Sequence, residues 1–257
     1  MIIRKKVNQM ENIVCNSKVV LVGGSSSRTM AMRTCALCGK KDPHVVILPT
    51  ARGDDQEIID ETYGFYSQFS SQVDVIKLVK DTPAIDDVHK KVLSADLIYV
   101  PGGSEYSIKE YWKKYGLDRL IYKVAETGNA VLVGSSAGAM SYSYASLFCD
   151  KEGTPRTFLG YGLIPVFFTP HYQMQEYKGF DRCLEEKNEN IPAFAAGDDA
   201  GILCTPDRRY YAFWGEENNS IWRFDLDISS GKWIRTEFNP PKTVDLNTPL
   251  TDITPDK

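Results

Sequence analysis

Between Lys18 and Val133, short unbroken apolar runs alternate with longer stretches whose apolar residues return every three or four positions. The runs lie at Lys18-Val-Val-Leu-Val, His44-Val-Val-Ile-Leu, Val73 to Leu78, Leu97 to Val100 and Ala130 to Val133. Unbroken apolar runs of this length are strands buried on both faces, and helices returning the chain between them make parallel pairs with right-handed crossovers. The helices are predicted over the stretch around Met30 to Cys38, closed by Gly39, and over Ile58 to Phe69, Ile85 to Ser94 and Leu117 to Thr127. The predicted fold class is α/β: a doubly wound, mostly parallel sheet with helices on both faces.

After Tyr142 the pattern changes, and Pro, Tyr and Phe become frequent. Arg209-Tyr-Tyr-Ala-Phe-Trp followed by Ile221-Trp-Arg-Phe reads as a hairpin, a C-terminal β extension at the sheet edge. Residues 1–17 read as a short tail, 18–239 as a single α/β domain, and 240–257, rich in Pro, Thr and Asp, as a loose terminal tail.

The net charge of −4, without a long basic block, argues against nucleic acid or an acidic membrane surface as partner. The first 18 residues lack the apolar core of a secretory signal, and no run reaches the ~18 apolar residues of a membrane span. A cytoplasmic location is expected. The scattered cysteines at 15, 35, 38, 149, 183 and 204 suit reduced thiols. Cys35-Ala-Leu-Cys38, with His44 nearby, offers zinc too few ligands and reads as helix packing. No metal or cofactor is expected.

Ala130-Val-Leu-Val-Gly-Ser-Ser-Ala-Gly-Ala-Met carries the chemistry, since a buried strand runs into Gly134-Ser135-Ser136-Ala137-Gly138 and then a helix. A nucleophile on so sharp a turn needs tiny neighbours, which makes Ser136 the candidate and leaves Ser135 out of register. The amide of Ala137 falls beneath the reacting oxygen. A turn that only packs helix on sheet, or one that holds a phosphate, would carry similar residues.

A serine hydroxyl needs a base, and the chain has three histidines. His89 lies in a charged helix and His44 in a Pro-containing turn, so both read as surface residues. His171 follows the apolar run Gly162-Leu-Ile-Pro-Val-Phe-Phe-Thr-Pro and can face the turn. For the acid, Asp150, Asp198, Asp199 and, more weakly, Glu152 stay open. Tyr99-Val-Pro-Gly102-Gly103-Ser104 supplies a second glycine turn after a strand, whose glycines either present amides to an oxyanion or simply permit the turn. Gly23-Gly24-Ser-Ser-Ser-Arg lacks the spacing of a nucleotide loop and reads as a loop near the site at most.

In order and spacing these segments resemble peptidase family S51, which contains aspartyl dipeptidase (peptidase E) and cyanophycinase. The resemblance covers roughly Lys18 to Thr205 and rests on Gly23-Gly24, Leu48-Pro-Thr-Ala, Pro101-Gly-Gly, Gly134-Ser-Ser-Ala-Gly-Ala, Gly162-Leu-Ile-Pro with Pro170-His-Tyr, and Asp198-Asp199. It implies a fold like the class I glutamine amidotransferases, with serine in place of cysteine, and metal-independent cleavage of short peptides through an acyl-enzyme. It maps the nucleophile onto Ser136, the base onto His171 and the oxyanion donors onto the Gly103 and Ala137 amides. The triad acid falls nearest Asp150, in the order Ser, Asp, His, with Asp199 and Asp198 as alternatives. Substrate contacts fall on Gly102, Ser104, Arg182 and Lys178.

One departure concerns specificity. Aspartyl dipeptidases carry two arginines three residues apart after the histidine, and here those positions read Gly179 and Arg182. Lys178 offers a point charge, without bidentate carboxylate recognition. The expected substrate is a short peptide, including Asp-X dipeptides, or a small amide. An esterase or amidase on the same fold, a non-catalytic small-molecule-binding protein and a nucleotide-binding module are the rivals. A homodimer is left open.

Overall fold

The computed structural model describes residues 14–149, 154–174, 179–187, 191–217 and 219–255. The first strand, β1 (Val19–Val22), has no solvent exposure on either side. Its alternate residues enter two cores: Val19 and Leu21 pack into one, Val20 and Val22 into the other. This is the period of two of a strand covered on both faces. Ser27 then caps α1 (Arg28–Leu37) by accepting from the Met30 amide.

The alternation continues with β2 (Val45–Ile47), a 3₁₀ turn at Pro49–Arg52, α2 (Gln56–Tyr66), β3 (Val73–Val75), α3 (Ile85–Ser94) and β4 (Leu97–Val100). Next come α4 (Glu105–Tyr115), α5 (Leu117–Thr127), β5 (Val131–Ser135) and α6 (Ala137–Tyr142). Helix α4 was not among the expected elements. Its signals are Ser104, which accepts from the Ser107 amide, and the buried stripe Ile108, Trp112 and Tyr115.

The remaining elements are β6 (Ser143–Cys149), β7 (Pro155–Leu159), β8 (Ile164–Thr169), α7 (Phe180–Glu185), β9 (Ala193–Ala196), β10 (Ala200–Cys204), β11 (Tyr210–Trp214), β12 (Ile221–Asp227), β13 (Lys232–Phe238) and β14 (Thr251–Asp252). Among the described residues the strands form two sheets. One has eight strands in the order β14-β11-β10-β1-β5-β4-β2-β3, parallel from β1 to β3 and antiparallel from β10 outward. The other has six strands, β13-β12-β9-β8-β6-β7.

The doubly wound α/β class is as expected, and the second sheet adds to it. The C-terminal hairpin is β12–β13, and β10 pairs with β11. The expected pairing of residues 209–214 with 221–224 is not made, because β11 and β12 join different sheets. Nor is the C-terminal stretch loose throughout: β14 pairs with β11, and Ile253 is buried. It is docked by that pairing, by the Ile253 amide donating to the Tyr210 carbonyl at 2.9 Å and by the buried Ile253 side chain. Among the described residues no helix is long and apolar enough to cross a membrane.

The two sheets divide the labour of building one edge. Adjacent strands β1, β5 and β4 bring the Gly23–Ser27 loop, Ser136 and the Pro101–Gly103 turn to the same carboxyl end. Parallel neighbours β8 and β9 of the second sheet bring His171 and Asp198 there. The carboxyl ends of strands where the winding reverses are where open α/β sheets place their ligands.

Candidate active site

Ser136 follows the last residue of β5 directly, and its backbone is held at φ 48°, ψ −111°, a region that costs a non-glycine residue energy. The surroundings over-determine it. The Ser136 amide donates to the Val22 carbonyl at 2.9 Å, and its own carbonyl accepts from Met140 at 2.9 Å. A Cβ on Gly134 would stand 2.5 Å from the Gly138 carbonyl carbon, and one on Gly138 would strike the Val100 carbonyl. That crowding explains both glycines of the motif. Ser135 turns away and donates to the Gly24 carbonyl, pinning the loop after β1.

His171 also has positive φ, 50°, and its amide donates to the Gly23 carbonyl at 2.7 Å. This fastens the end of the second sheet to the end of β1 and aims the imidazole at the elbow. His171 Nε2 lies 2.8 Å from Ser136 Oγ, and Nδ1 lies 2.5 Å from Asp198 Oδ1. A carboxylate only accepts, so Nδ1 carries the proton and Nε2 is left to accept from the hydroxyl. Burial works to raise the Asp198 carboxyl, but the hydrogen bonds with His171 and Gln173 prevail and hold it below the usual carboxylate range.

The carboxylate behind His171 is therefore Asp198, which stood second among the alternatives. Asp150, the acid the resemblance favoured, lies outside the described residues, as do Glu152 and Lys178. The three groups in contact run Ser, His, Asp along the chain, against the expected Ser, Asp, His. The physical reason is topological: β9 is the parallel neighbour of β8, so the residues just after each strand meet.

Asp199, the other alternative, points away from the imidazole. It is almost fully buried, and its carboxylate accepts from the amides of Ser27 at 2.8 Å, Glu216 at 2.5 Å and Glu217 at 3.1 Å. Burial pushes it up in spite of these bonds. It ties the loop after β1 to the segment after β11, which makes it a positioning residue. Asp199→Asn turns an NH2 group toward at least one of these donors and leaves a buried N–H unpaired. We expect a loss of about 3 kcal/mol in stability, read by urea unfolding, with Ser136 still reactive in the folded fraction.

Gly24 is where the loop closes on the site. A Cβ there would overlap Asp198 Oδ1 and lie 2.7 Å from His171 Cε1. Gly24→Ala is expected to displace the His–Asp pair and lower kcat about 100-fold or more, with a smaller effect on KM. Sequence reading gave this loop a marginal place. The signal it carried was a second glycine in a turn that fits no nucleotide-loop spacing.

On the other flank, Gly102 packs against the nucleophile, and a Cβ on it would lie 2.8 Å from Ser136 Cβ. Gly103 follows with φ 139°, open only to glycine, and a Cβ there would strike the Ala51 carbonyl. The Ser104 amide closes the turn on the same carbonyl at 2.7 Å. Ala137 is the first residue of α6 and lies directly after the nucleophile.

The side chains of Ser136, His171 and Asp198 open onto a cleft of about 260 Å³. Its walls include Gly102, Gly103, the loop from Gly24 to Ser27, and α2. Ser104 serves instead as the cap of α4, and Arg182 sits on α7; neither lines the cleft.

The other candidates have structural partners. His44 pairs with Asp74 at 3.0 Å, and Asp74 also holds Lys91 at 2.6 Å. His89 is half-buried rather than fully solvated, and its Nε2 lies 2.8 Å from the Tyr115 carbonyl at the end of α4. Burial pushes the Cys35 thiol up to about 12 and Cys38 to about 11, far from a ready thiolate. Cys38 Sγ donates to the Asp96 carbonyl at 3.3 Å, which fits packing.

The family model described as peptidase family S51 matches residues 19–205. The chain is 30% identical over 173 residues to the uncharacterized peptidase YgaJ of Bacillus subtilis (strain 168), covering 66% of this chain and 73% of that one. The uncharacterized peptidase PM1590 of Pasteurella multocida (strain Pm70) is 24% identical over half of this chain and 64% of its own length. Among solved structures, a peptidase from an acI-B1 actinobacterium superposes with a TM-score of 0.63 at 17% identity, covering 91% of this chain and 98% of that one. At that identity the likeness speaks for the fold.

Proposed function

The chain belongs to peptidase family S51, and from that premise we propose that it is a serine peptidase cleaving short peptides through an acyl-enzyme. The observation that carries the proposal is the 2.8 Å contact of His171 Nε2 with Ser136 Oγ, with Asp198 on the opposite ring nitrogen. His171 takes the hydroxyl proton as Oγ bonds to the peptide carbonyl carbon. The resulting imidazolium is stabilised by Asp198, and the oxyanion is held by the amides of Gly103 and Ala137. His171 returns the proton to the leaving amine, and water, activated the same way, frees the acyl group.

A panel of dipeptides, tripeptides and matched esters, with products identified by mass, tests the proposal. Dipeptides beginning with aspartate belong in it, although Gly179 removes one of the two arginines on which aspartyl recognition depends. Hydrolysis of peptides that disappears in Ser136→Ala supports it. A strong preference for esters would reassign the protein as an esterase, and peptide hydrolysis that survives Ser136→Ala would refute the mechanism.

A further inference from the structure

Helix α2 turns one stripe toward the cleft: Ile58, Glu61, Thr62 and Phe65, at the i, i+3, i+4, i+7 spacing of a single helical face. Glu61 is the one ionised group in that stripe. Among the described residues it makes no hydrogen bond or ion pair, while the cleft's other carboxylate, Asp198, is occupied by His171. The cleft's arginine, Arg52, comes from the end of the 3₁₀ turn, and its backbone abuts Gly103, where a built Cβ would stand 3.1 Å from the Arg52 nitrogen. Glu61 faces the region of Tyr99, whose buried hydroxyl bonds Ser26 at 3.2 Å and feels the Glu61 charge.

We propose that Glu61 determines specificity, holding a positive charge of the substrate, so that the cleft selects short peptides bearing an ammonium group. An unpaired carboxylate on the α2 wall of the cleft that holds Ser136 attracts a cation, while Arg52 brings the same cleft a positive charge of its own. The chemistry is the same for a free α-ammonium and for a lysyl side chain. This proposal rests on the cleft at Ser136 being the substrate site.

The test measures binding without turnover. Calorimetry on Ser136→Ala, and on Ser136→Gly, which accepts the positive φ without strain, uses lysyl-alanine, acetyl-lysyl-alanine, norleucyl-alanine and acetyl-norleucyl-alanine. The last, with neither ammonium, is expected to bind about tenfold or more weakly than the tightest of the others, a gap that closes when Glu61→Gln is added. Whether norleucyl-alanine or acetyl-lysyl-alanine keeps the affinity tells the α-ammonium from the side chain. Equal binding of all four, a gap that persists in Glu61→Gln, or no binding at all would overturn the proposal. Labelling of Ser136 by a fluorophosphonate in the Glu61→Gln protein separates this failure from that of the serine mechanism, because it needs no peptide recognition.

Discussion

Ser136→Ala is expected to lower kcat about a million-fold on any peptide the protein cleaves, leaving only what binding and the backbone amides supply. The fold should survive. Both backbone hydrogen bonds of residue 136 run through its amide and carbonyl, which alanine keeps, and alanine accepts φ 48° no worse than serine. Single-turnover kinetics set beside thermal melting separate the two effects. A variant that melts like wild type and turns over at a comparable rate would remove Ser136 from the chemistry.

Asp198→Asn should cost about 10⁴-fold in kcat, for a different reason. The asparagine amide can donate to Nδ1, which moves the imidazole proton to Nε2, where it blocks acceptance from Ser136 Oγ. The stability consequence has a defined sign. The folded-state value of Asp198 is depressed, so its contribution is complete above the ordinary aspartate value of about 3.9 and is lost as pH falls through the lower folded value. Melting curves of wild type and Asp198→Asn should therefore differ at neutral pH and converge only in strong acid. Asp199→Asn should do the reverse to function, lowering stability while Ser136 stays reactive, although the two residues are adjacent.

That contrast marks how far the sequence could be read. The parallel half of the first sheet was legible because each strand is an unbroken apolar run, and the elbow because its flanking glycines are forced by contacts with Gly138 and Val100. Serine and base followed from an exposed turn and a scarcity of histidines. The acid could not be chosen, because Asp198 and Asp199 read alike in one dimension. Opposite side-chain directions, with Asp199 at φ 53°, send one to the imidazole and the other to three backbone amides. The second sheet was hidden for a related reason. Its partners join β6 to β8 and β9 to β12 across intervening segments, and local alternation carries no record of such pairings. Helix α4, to which no expected element was assigned, carries its signal in the Ser104 cap and in Ile108, Trp112 and Tyr115 at the i, i+4, i+7 spacing of one helical face.

The most direct test of the Ser136–His171–Asp198 arrangement is reaction of the full chain with a fluorophosphonate probe, followed by peptide mapping. Wild type should be modified at Ser136, at a rate lowered by orders of magnitude in His171→Ala and Asp198→Asn, and Ser136→Ala should remain unmodified. Folded wild-type protein that stays unmodified, or modification that proceeds equally well without His171, would contradict an activated serine at this site.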